Sequence, residues 1–340
     1  MLAPALAAQA VRAAIPGMAE VAERLVARWD HADEVDVSEE MTRVTLDVIG
    51  LCGFGYRFDC LGRDDDHPFI ARLKRCMARV PERAASLLGD PGQVQWEDDV
   101  RAMHQMVDEV IAERRRAEQG PSDLLSCMLR GLDDRNVRFQ VLTSMVAGHD
   151  TTTGALSFAI YFLAKHPEIL ARARAEVDAV LGDAAPTFET VGRLRYVAQV
   201  LKEAMRLWPP GPGFNVAPFA DETVCGRFPI ARDKTVTIFV PALHRDPAVW
   251  GDHVERFDPD RFSPENEKRR PATAYRPFGN GPRACLGQFF AMQEAALILA
   301  VILRRYELVD FADYSLKLLY RVTLKPEDFR LRVRRRITSR

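Results

Sequence analysis

A glycine-rich loop that ends in a single cysteine restricts the fold of this 340-residue chain more than any other stretch. Residues 278–287 read Phe-Gly-Asn-Gly-Pro-Arg-Ala-Cys-Leu-Gly, and an apolar, helix-like segment follows at 288–303. Cys285 therefore lies at the start of a predicted helix, where free backbone N–H groups and the helix dipole favour a negatively charged sulfur. We expect the Cys285 thiol to ionise readily and to bind a metal ion.

The other residues of this loop suit a flat metal-bearing ligand such as a porphyrin. Gly279, Gly281 and Gly287 lack a Cβ atom, which permits unusual backbone angles and close approach of a ligand. Arg283 can pair with a haem propionate, and Phe278 can shield the sulfur, because the surroundings of the axial ligand tune a haem iron. The alternative is a glycine-rich turn with an ordinary buried cysteine, since free cysteines are common in protein cores.

The pattern Phe-x-x-Gly-x-Arg-x-Cys-x-Gly at 278–287 resembles the cysteine-ligand loop of the cytochrome P-450 superfamily. The resemblance implies that Cys285 is the thiolate ligand of the iron of haem b. It also implies that Phe278, Arg283 and the three loop glycines contact the same cofactor.

A long apolar helix is predicted at residues 138–165, and a run of polar and small residues interrupts it. The Thr151 hydroxyl can bond back to the Ala147 carbonyl and Gly148 eases bending, so the helix can open a groove. A core helix bent by threonine is the alternative. The resemblance places Ala147 and Gly148 beside the haem and implies two catalytic residues. Thr151 donates a hydrogen bond to bound dioxygen, and Asp150 supplies protons, as an acid beside a hydroxyl can.

Glu203 and Arg206 are three residues apart, so they share one face of a predicted helix and can pair. The same spacing recurs at four other glutamates, which we interpret as solvated surface pairs: Glu40, Glu113, Glu267 and Glu327. Apolar neighbours distinguish Glu203 from these. The resemblance implies that Arg261 joins Glu203 and Arg206 in a structural ion network behind the haem loop.

Composition excludes several classes of protein. The chain has 47 basic and 48 acidic residues, which argues against a nucleic-acid partner. No stretch approaches the roughly 18 apolar residues of a membrane span. The cysteines show neither a disulfide framework nor zinc-like spacing, and they are Cys52, Cys60, Cys76, Cys127, Cys225 and Cys285. We therefore expect a soluble cytoplasmic monomer without a stable membrane anchor.

The order of predicted elements indicates a single, mainly α domain over residues 1–340. Helices are predicted at 17–29, 38–52, 68–80, 96–119, 121–129, 138–165, 167–181 and 197–208. Residues 224–230 and 235–240 are predicted to form a hairpin, and 306–311, 316–324 and 329–333 a small terminal sheet. The last ten residues carry five arginines, which favours a solvated edge strand and tail, with docking of an acidic partner as the alternative.

Further stretches at 41–54, 156–167, 243–246 and 323–327 are similar to the haem domain of self-sufficient bacterial fatty-acid hydroxylases. The resemblance implies a cytochrome P-450 fold, a large helical bundle around haem with small β-sheets. In that family a further N-terminal sheet region precedes the residue at which this chain begins, so we expect an N-terminally incomplete domain. We also expect no fused reductase domain, so that electrons from NADPH or NADH need a separate flavin reductase or ferredoxin-type donor.

The function implied by the resemblance is a haem-dependent monooxygenase that inserts one atom of O₂ into a C–H bond of a small apolar substrate. A fatty acid is the first substrate considered, and the expected substrate pocket comprises Ala147, Gly211, Pro212 and Val322. A peroxide-driven peroxygenase is an alternative, although the retained Asp150-Thr151 pair argues against it. A non-catalytic or vestigial haem-binding protein and a helical interaction domain without a cofactor are the others.

Overall fold

Long helices form most of the fold in a computed structural model, which describes residues 2–85, 93–117, 120, 122–310 and 313–337. The helices are α1 (Ala8–Trp29), α2 (Val37–Val48), α3 (Pro68–Ala85), α4 (Gln93–Arg116), α5 (Leu124–Gly131), α6 (Asp134–Lys165), α7 (Pro167–Leu181), α8 (Phe188–Val191), α9 (Arg195–Leu207), α10 (Val240–Leu243), α11 (Pro247–Trp250), α12 (Pro264–Arg269) and α13 (Gln288–Arg305). Short 3₁₀ turns occupy Ala3–Leu6, Pro259–Phe262 and Gly281–Arg283. The mainly α fold class is therefore confirmed.

The strands form four small antiparallel sheets within the described ranges. They are β1 (Glu34–Asp36), β2 (Gly213–Val216), β3 (Glu222–Val224), β4 (Phe228–Ile230), β5 (Val236–Phe239), β6 (Tyr306–Asp310), β7 (Leu318–Tyr320), β8 (Leu324–Pro326) and β9 (Arg330–Arg335). The largest sheet has the order β1-β9-β6, and the others are the pairs β2-β5, β3-β4 and β7-β8.

Two predictions of strand pairing were wrong. Cys225 and Gly226 both have positive φ angles, of 53° and 65°, and lie in the three-residue turn at 225–227 that connects β3 to β4. The partner of β5 is therefore β2, so 224–230 and 235–240 do not form a hairpin together. At the C-terminal end β6 does pair with β9, but β7 and β8 form a sheet of their own.

Most predicted helices are confirmed with ends shifted by a few residues, and two helices differ more. The predicted helix ends at 119 and 121 lie outside the described residues. The first helix begins at Ala8 and continues through Pro16, because an apolar face that includes Val11 and Ile15 is buried in the main core. The helix predicted at 38–52 changes at Ile49 to a π-helical turn, Ile49–Gly53. A Cβ atom on Gly50 of this turn would lie 2.6 Å from the Phe58 ring, so only glycine fits there.

The core consists of two clusters of buried side chains. The main core joins α1, α6, α9 and α13. A second core lies between α3, α4, α5 and α6 and includes Met103, Val107, Leu125, Val141 and Met145. Because α6 contributes to both, this helix is packed on most of its circumference. No helix in the described ranges is long and apolar enough to cross a membrane.

Glu294 is a buried acid on α13, with only 1% of its surface exposed. Neither carboxyl oxygen has a hydrogen-bond partner among the residues that the structure describes. Burial raises the pKa of Glu294 well above its ordinary value, because a charged carboxylate loses its hydration there. The folded protein therefore keeps Glu294 protonated at pH values where the unfolded chain ionises.

Replacing Glu294 by glutamine should make folding less sensitive to pH. The raised pKa of the folded state means that wild-type stability falls as pH increases above about 4.5, by up to about 1.4 kcal/mol for each pH unit. In urea unfolding between pH 5 and pH 8, the free energy of unfolding of Glu294→Gln relative to wild type should increase as pH rises. The exposed control Glu265→Gln should follow the wild type, and a constant difference between Glu294→Gln and wild type would contradict the assignment.

Candidate functional site

The loop that carries Cys285 is held in a defined shape by its own backbone. The Cys285 N–H donates to the Phe278 carbonyl at 2.8 Å, and Ala284 N–H donates to Gly281 at 3.0 Å. Gly279 and Gly281 have φ angles of 76° and 63°, a region that residues with a Cβ atom avoid. These contacts place Cys285 directly before α13, with its side chain exposed.

The Cys285 thiol does not ionise as readily as the sequence predicted. Desolvation by the surrounding protein raises the pKa of the Cys285 thiol. Hydrogen bonds from the Gly287 and Gln288 N–H groups lower this pKa, but by less. The helix start thus supplies the expected donors, but their effect is smaller than that of the surrounding protein. A metal ion at the sulfur would provide the missing positive charge.

The loop fits a haem in its chemistry and in its free space. Within the described ranges no group of three or more His, Cys, Asp or Glu residues could hold a metal ion by itself. A single thiolate suits a metal that a macrocycle already holds. A Cβ atom added to Gly281 or Gly287 would meet nothing within 4 Å, so the loop leaves open space. Arg283 is exposed and has no ion pair in the described part of the chain, which leaves it free for a propionate.

One face of α6 is open although the helix is otherwise packed. Phe139, Thr143, Ala147 and Thr151 follow one another at intervals of four, so they lie on one side of the helix. All four are exposed or half-buried, whereas the residues from 152 to 160 are buried. This open face contains Ala147, which the resemblance placed beside the haem, and Thr151, which it assigned as a catalytic residue.

Thr151 forms the local bond that the sequence predicted, and the helix continues through it. Its Oγ1 donates to the Ala147 carbonyl at 2.9 Å, and α6 keeps its helical hydrogen bonding from Asp134 to Lys165. The sequence predicted that Gly148 eases bending of the helix, but its role in the structure is in packing. A Cβ atom there would lie 2.9 Å from Ile49, so the glycine permits close packing of α6 against the π-helical turn.

Asp150 is bound by residues that the sequence analysis had not assigned to the site. Its carboxylate accepts a hydrogen bond from Thr323 Oγ1 at 2.6 Å and one from Lys325 Nζ at 3.1 Å. Burial acts to raise the pKa of Asp150, but Lys325, Thr323 and His149 outweigh it and hold the pKa below its ordinary value. Asp150 is therefore an ionised, paired carboxylate rather than a free acid.

Two neighbours of the residues predicted for the substrate pocket contact this part of α6. Leu324 N–H donates to the Pro210 carbonyl at 2.9 Å, and both residues pack closely against Gly154. Gly211 and Pro212 directly follow Pro210, and Val322 precedes the Thr323 that binds Asp150. The structure thus brings the segments of Gly211, Pro212 and Val322 to α6, with open space around Gly211.

Glu203 and Arg206 form a fully buried ion pair. Arg206 Nε lies 2.7 Å and a second guanidinium nitrogen 2.8 Å from the two Glu203 oxygens. Arg261 Nε lies 3.6 Å from Glu203 Oε1, and Asp258 N–H donates to the same oxygen at 2.9 Å. Removing one partner of such a buried network typically costs about 3–5 kcal/mol.

His244 connects this ion pair to the cysteine loop, a role that the sequence analysis did not assign. Its Nδ1 lies 3.2 Å from the Arg206 carbonyl, and its Nε2 accepts a hydrogen bond from Arg276 N–H at 2.9 Å. Because a backbone N–H can only donate, Nδ1 carries the ring proton. Burial lowers the pKa of His244 to about 4, so the ring is neutral. The only sequence signal was its place in the family-like stretch 243–246.

The fold is that of a known family. A family model described as Cytochrome P450 matches residues 1–331. The crystal structure of the cytochrome P450DA heme domain is similar, with a TM-score of 0.95 and 42% identity, over 99% of this chain and 76% of that one. The chain therefore belongs to the cytochrome P450 family.

Curated relatives are larger proteins. A bifunctional cytochrome P450/NADPH–P450 reductase of Bacillus cereus is 41% identical over 98% of this chain and 33% of its own length. A self-sufficient cytochrome P450 monooxygenase of Phanerodontia chrysosporium is 38% identical over 97% of this chain and 33% of its own. The chain thus spans about a third of the length of the curated relatives it matches.

Replacing His244 by phenylalanine should loosen the cysteine loop while keeping an aromatic ring stacked on Tyr275. The variant leaves the Arg276 N–H and the Arg206 carbonyl without partners, and each unsatisfied buried group costs about 1–3 kcal/mol. Urea unfolding should show this loss, and titration with haem should show weaker retention. Exposed His253→Phe is the control. Wild-type stability and haem retention in His244→Phe would refute the role of His244.

Replacing Lys325 by methionine should destabilise the protein most at neutral pH. In wild type the pKa of Asp150 is lower in the folded protein than in the unfolded chain. This difference stabilises the fold at pH values above the unfolded pKa, and the stabilisation is lost as the pH falls. Without Lys325 the burial of an unpaired carboxylate dominates, so we expect a loss of about 3–5 kcal/mol at pH 7 that shrinks towards pH 4 as Asp150 is protonated. Urea unfolding at both pH values measures it.

Two variants control the Lys325 experiment. Lys325→Arg keeps the cation and should lose much less stability than Lys325→Met. Lys317→Met removes an exposed lysine from the same part of the chain and should resemble the wild type. An equal loss for Lys325→Met at pH 4 and pH 7 would show that packing, not charge, explains the effect.

Proposed function

We propose that this chain is a haem-thiolate monooxygenase domain, with Cys285 as the iron ligand. The observation that carries the proposal is the position of Cys285, an exposed residue three positions before α13, in a loop whose shape is fixed by the bond from its own N–H to the Phe278 carbonyl. Arg283 would hold a propionate, and the open space beside Gly281 and Gly287 would admit the macrocycle. The haem, when bound, supplies activation of dioxygen and transfer of one oxygen atom to a C–H bond.

Thr151 and Asp150 control protons at this site. The only hydroxyl proton of Thr151 is used by the Ala147 carbonyl, so Oγ1 can accept a hydrogen bond at once but donates only after its side chain rotates. Asp150 is ionised and accepts from both Thr323 and Lys325. A proton passed through Asp150 therefore comes from one of these two donors. The Lys325 side chain is 19% exposed and can reach water, whereas the Asp150 side chain is 3% exposed.

The substrate is a small apolar molecule, with a medium- or long-chain fatty acid as the first class to test. The open face of α6 supports this proposal, since it begins with the exposed Phe139 ring and continues through Ala147 to Thr151. The electrons come from NADPH through a flavin reductase, since the Bacillus cereus relative is a bifunctional cytochrome P450/NADPH–P450 reductase. A ferredoxin-type donor is the alternative, which the assay below includes.

The test is product formation by the haem-loaded protein supplied with a fatty acid, NADPH and either donor. Hydroxylated product from wild type and none from Cys285→Ala would support the proposal. Bound haem with no product from either donor would instead indicate a haem-binding protein without turnover. Product formed only with added hydrogen peroxide would indicate a peroxygenase.

Replacing Thr151 by alanine should uncouple NADPH consumption from product formation. Loss of one positioned proton-transfer group commonly slows its step about 10²-fold or more, so we expect the ratio of product to hydrogen peroxide to fall by about that factor. Thr143→Ala is a matched control, since Thr143 Oγ1 bonds back to Phe139 at 2.8 Å on the same face of α6. Normal coupling in Thr151→Ala would contradict its role.

A further inference from the structure

The second core borders a partly open apolar cavity that the proposed reaction does not use. The cavity measures about 30 Å³, taken as the space open to the centre of a water-sized sphere. One water molecule needs about 10–15 Å³ by the same measure, so the cavity is about two to three times that size. Its walls come from α3, α4, α5, α6 and the loop after the π-helical turn, and include Phe54, Phe58, Met106, Val107, Val141 and Met145.

The cavity lies on the opposite side of α6 from the candidate site. Successive residues of an α-helix are turned by about 100°, so Met145 and Ala147 point about 200° apart. Met145 and Val141 face the cavity and are buried, whereas Ala147 is exposed on the open face with Thr151. A ligand in the cavity would therefore be separated from the cysteine loop by the helix itself.

The walls cannot easily collapse into this space. The loop after the π-helical turn is fixed by Tyr56 N–H, which donates to the Gly50 carbonyl at 2.9 Å. Arg114 donates to the Phe54 carbonyl at 2.7 Å and is itself held by Asp123. Because the backbone of this wall is fixed by hydrogen bonds, its large side chains cannot shift far enough to fill the cavity.

The lining determines which molecules can enter. Its only side-chain polar atom is the Tyr56 hydroxyl, which lies 3.4 Å from His67 Nε2. A buried water needs two to four polar partners, so water is not held here, and dry apolar cavities take up apolar molecules instead. Met106 and Met145 add flexible, polarizable side chains that adapt to the shape of a guest.

We propose that this cavity is a second binding site, for a small apolar molecule of about the size of dioxygen or xenon. The proposal is independent of the proposed function, because neither haem nor turnover enters the argument. It also implies that one additional methyl group on the wall, placed at Val141, is enough to close the site.

Xenon is the probe, and the methyl groups of selectively labelled methionines report its position by NMR. In the haem-loaded protein, rising xenon pressure should shift the Met106 and Met145 methyl signals along a saturating curve. Met18, fully buried in the main core, should stay unchanged. Unresponsive Met106 and Met145 signals, or equal shifts at Met18, would overturn the proposal.

Two isoleucine variants of α6 provide the matched comparison. Val141 and Val137 are both buried in the second core, one turn apart, but only Val141 lines the cavity. Val141→Ile should abolish the xenon response and keep or raise the melting temperature, since the added methyl fills empty space. Val137→Ile should keep the response. A saturating response that persists in Val141→Ile would refute the location, and the wild-type titration decides the proposal if a variant fails to fold.

Discussion

The buried ion pair between Glu203 and Arg206 is the interaction on which the candidate site depends. Two charges without access to water are tolerated only because their hydrogen bonds are complete, and those bonds reach the neighbouring segments. Arg206 also donates to the His244 carbonyl at 3.0 Å, and the His244 ring accepts from the N–H of Arg276, two residues before the cysteine loop. The position of the sulfur is thus set by a network several residues away from it.

Helix α6 provides the opposite half of the site because its two sides differ. Most of its surface is packed in two cores, and Gly148 and Gly154 let neighbouring segments approach closely. The remaining face is open and contains Thr151. Beside it, Asp150 is held by Lys325 and Thr323, so the charge next to the threonine depends on β8 and on the residue that precedes it.

Local patterns in the sequence predicted most helices and the chemistry of single residues. The cysteine loop, the Thr151 bond to Ala147 and the pairing of Glu203 with Arg206 all follow from spacing of at most ten residues. The partners of Asp150 and His244 could not be predicted, because they lie 173 and 32 residues away in the chain. The pairing of β5 with β2 could not be predicted either, because the turn at Cys225 and Gly226 pairs β3 with β4 instead. The packing of Gly148 against Ile49 also joins residues that are distant in the chain.

The most direct test of the account is the carbon-monoxide difference spectrum of the reduced, haem-loaded protein. A thiolate ligand donates electron density to the iron, so the account predicts a strongly red-shifted Soret band for wild type. A haem complex without that shift would show that Cys285 is not the ligand. Failure of the folded protein to bind haem would contradict the assignment of the cysteine loop as a haem site.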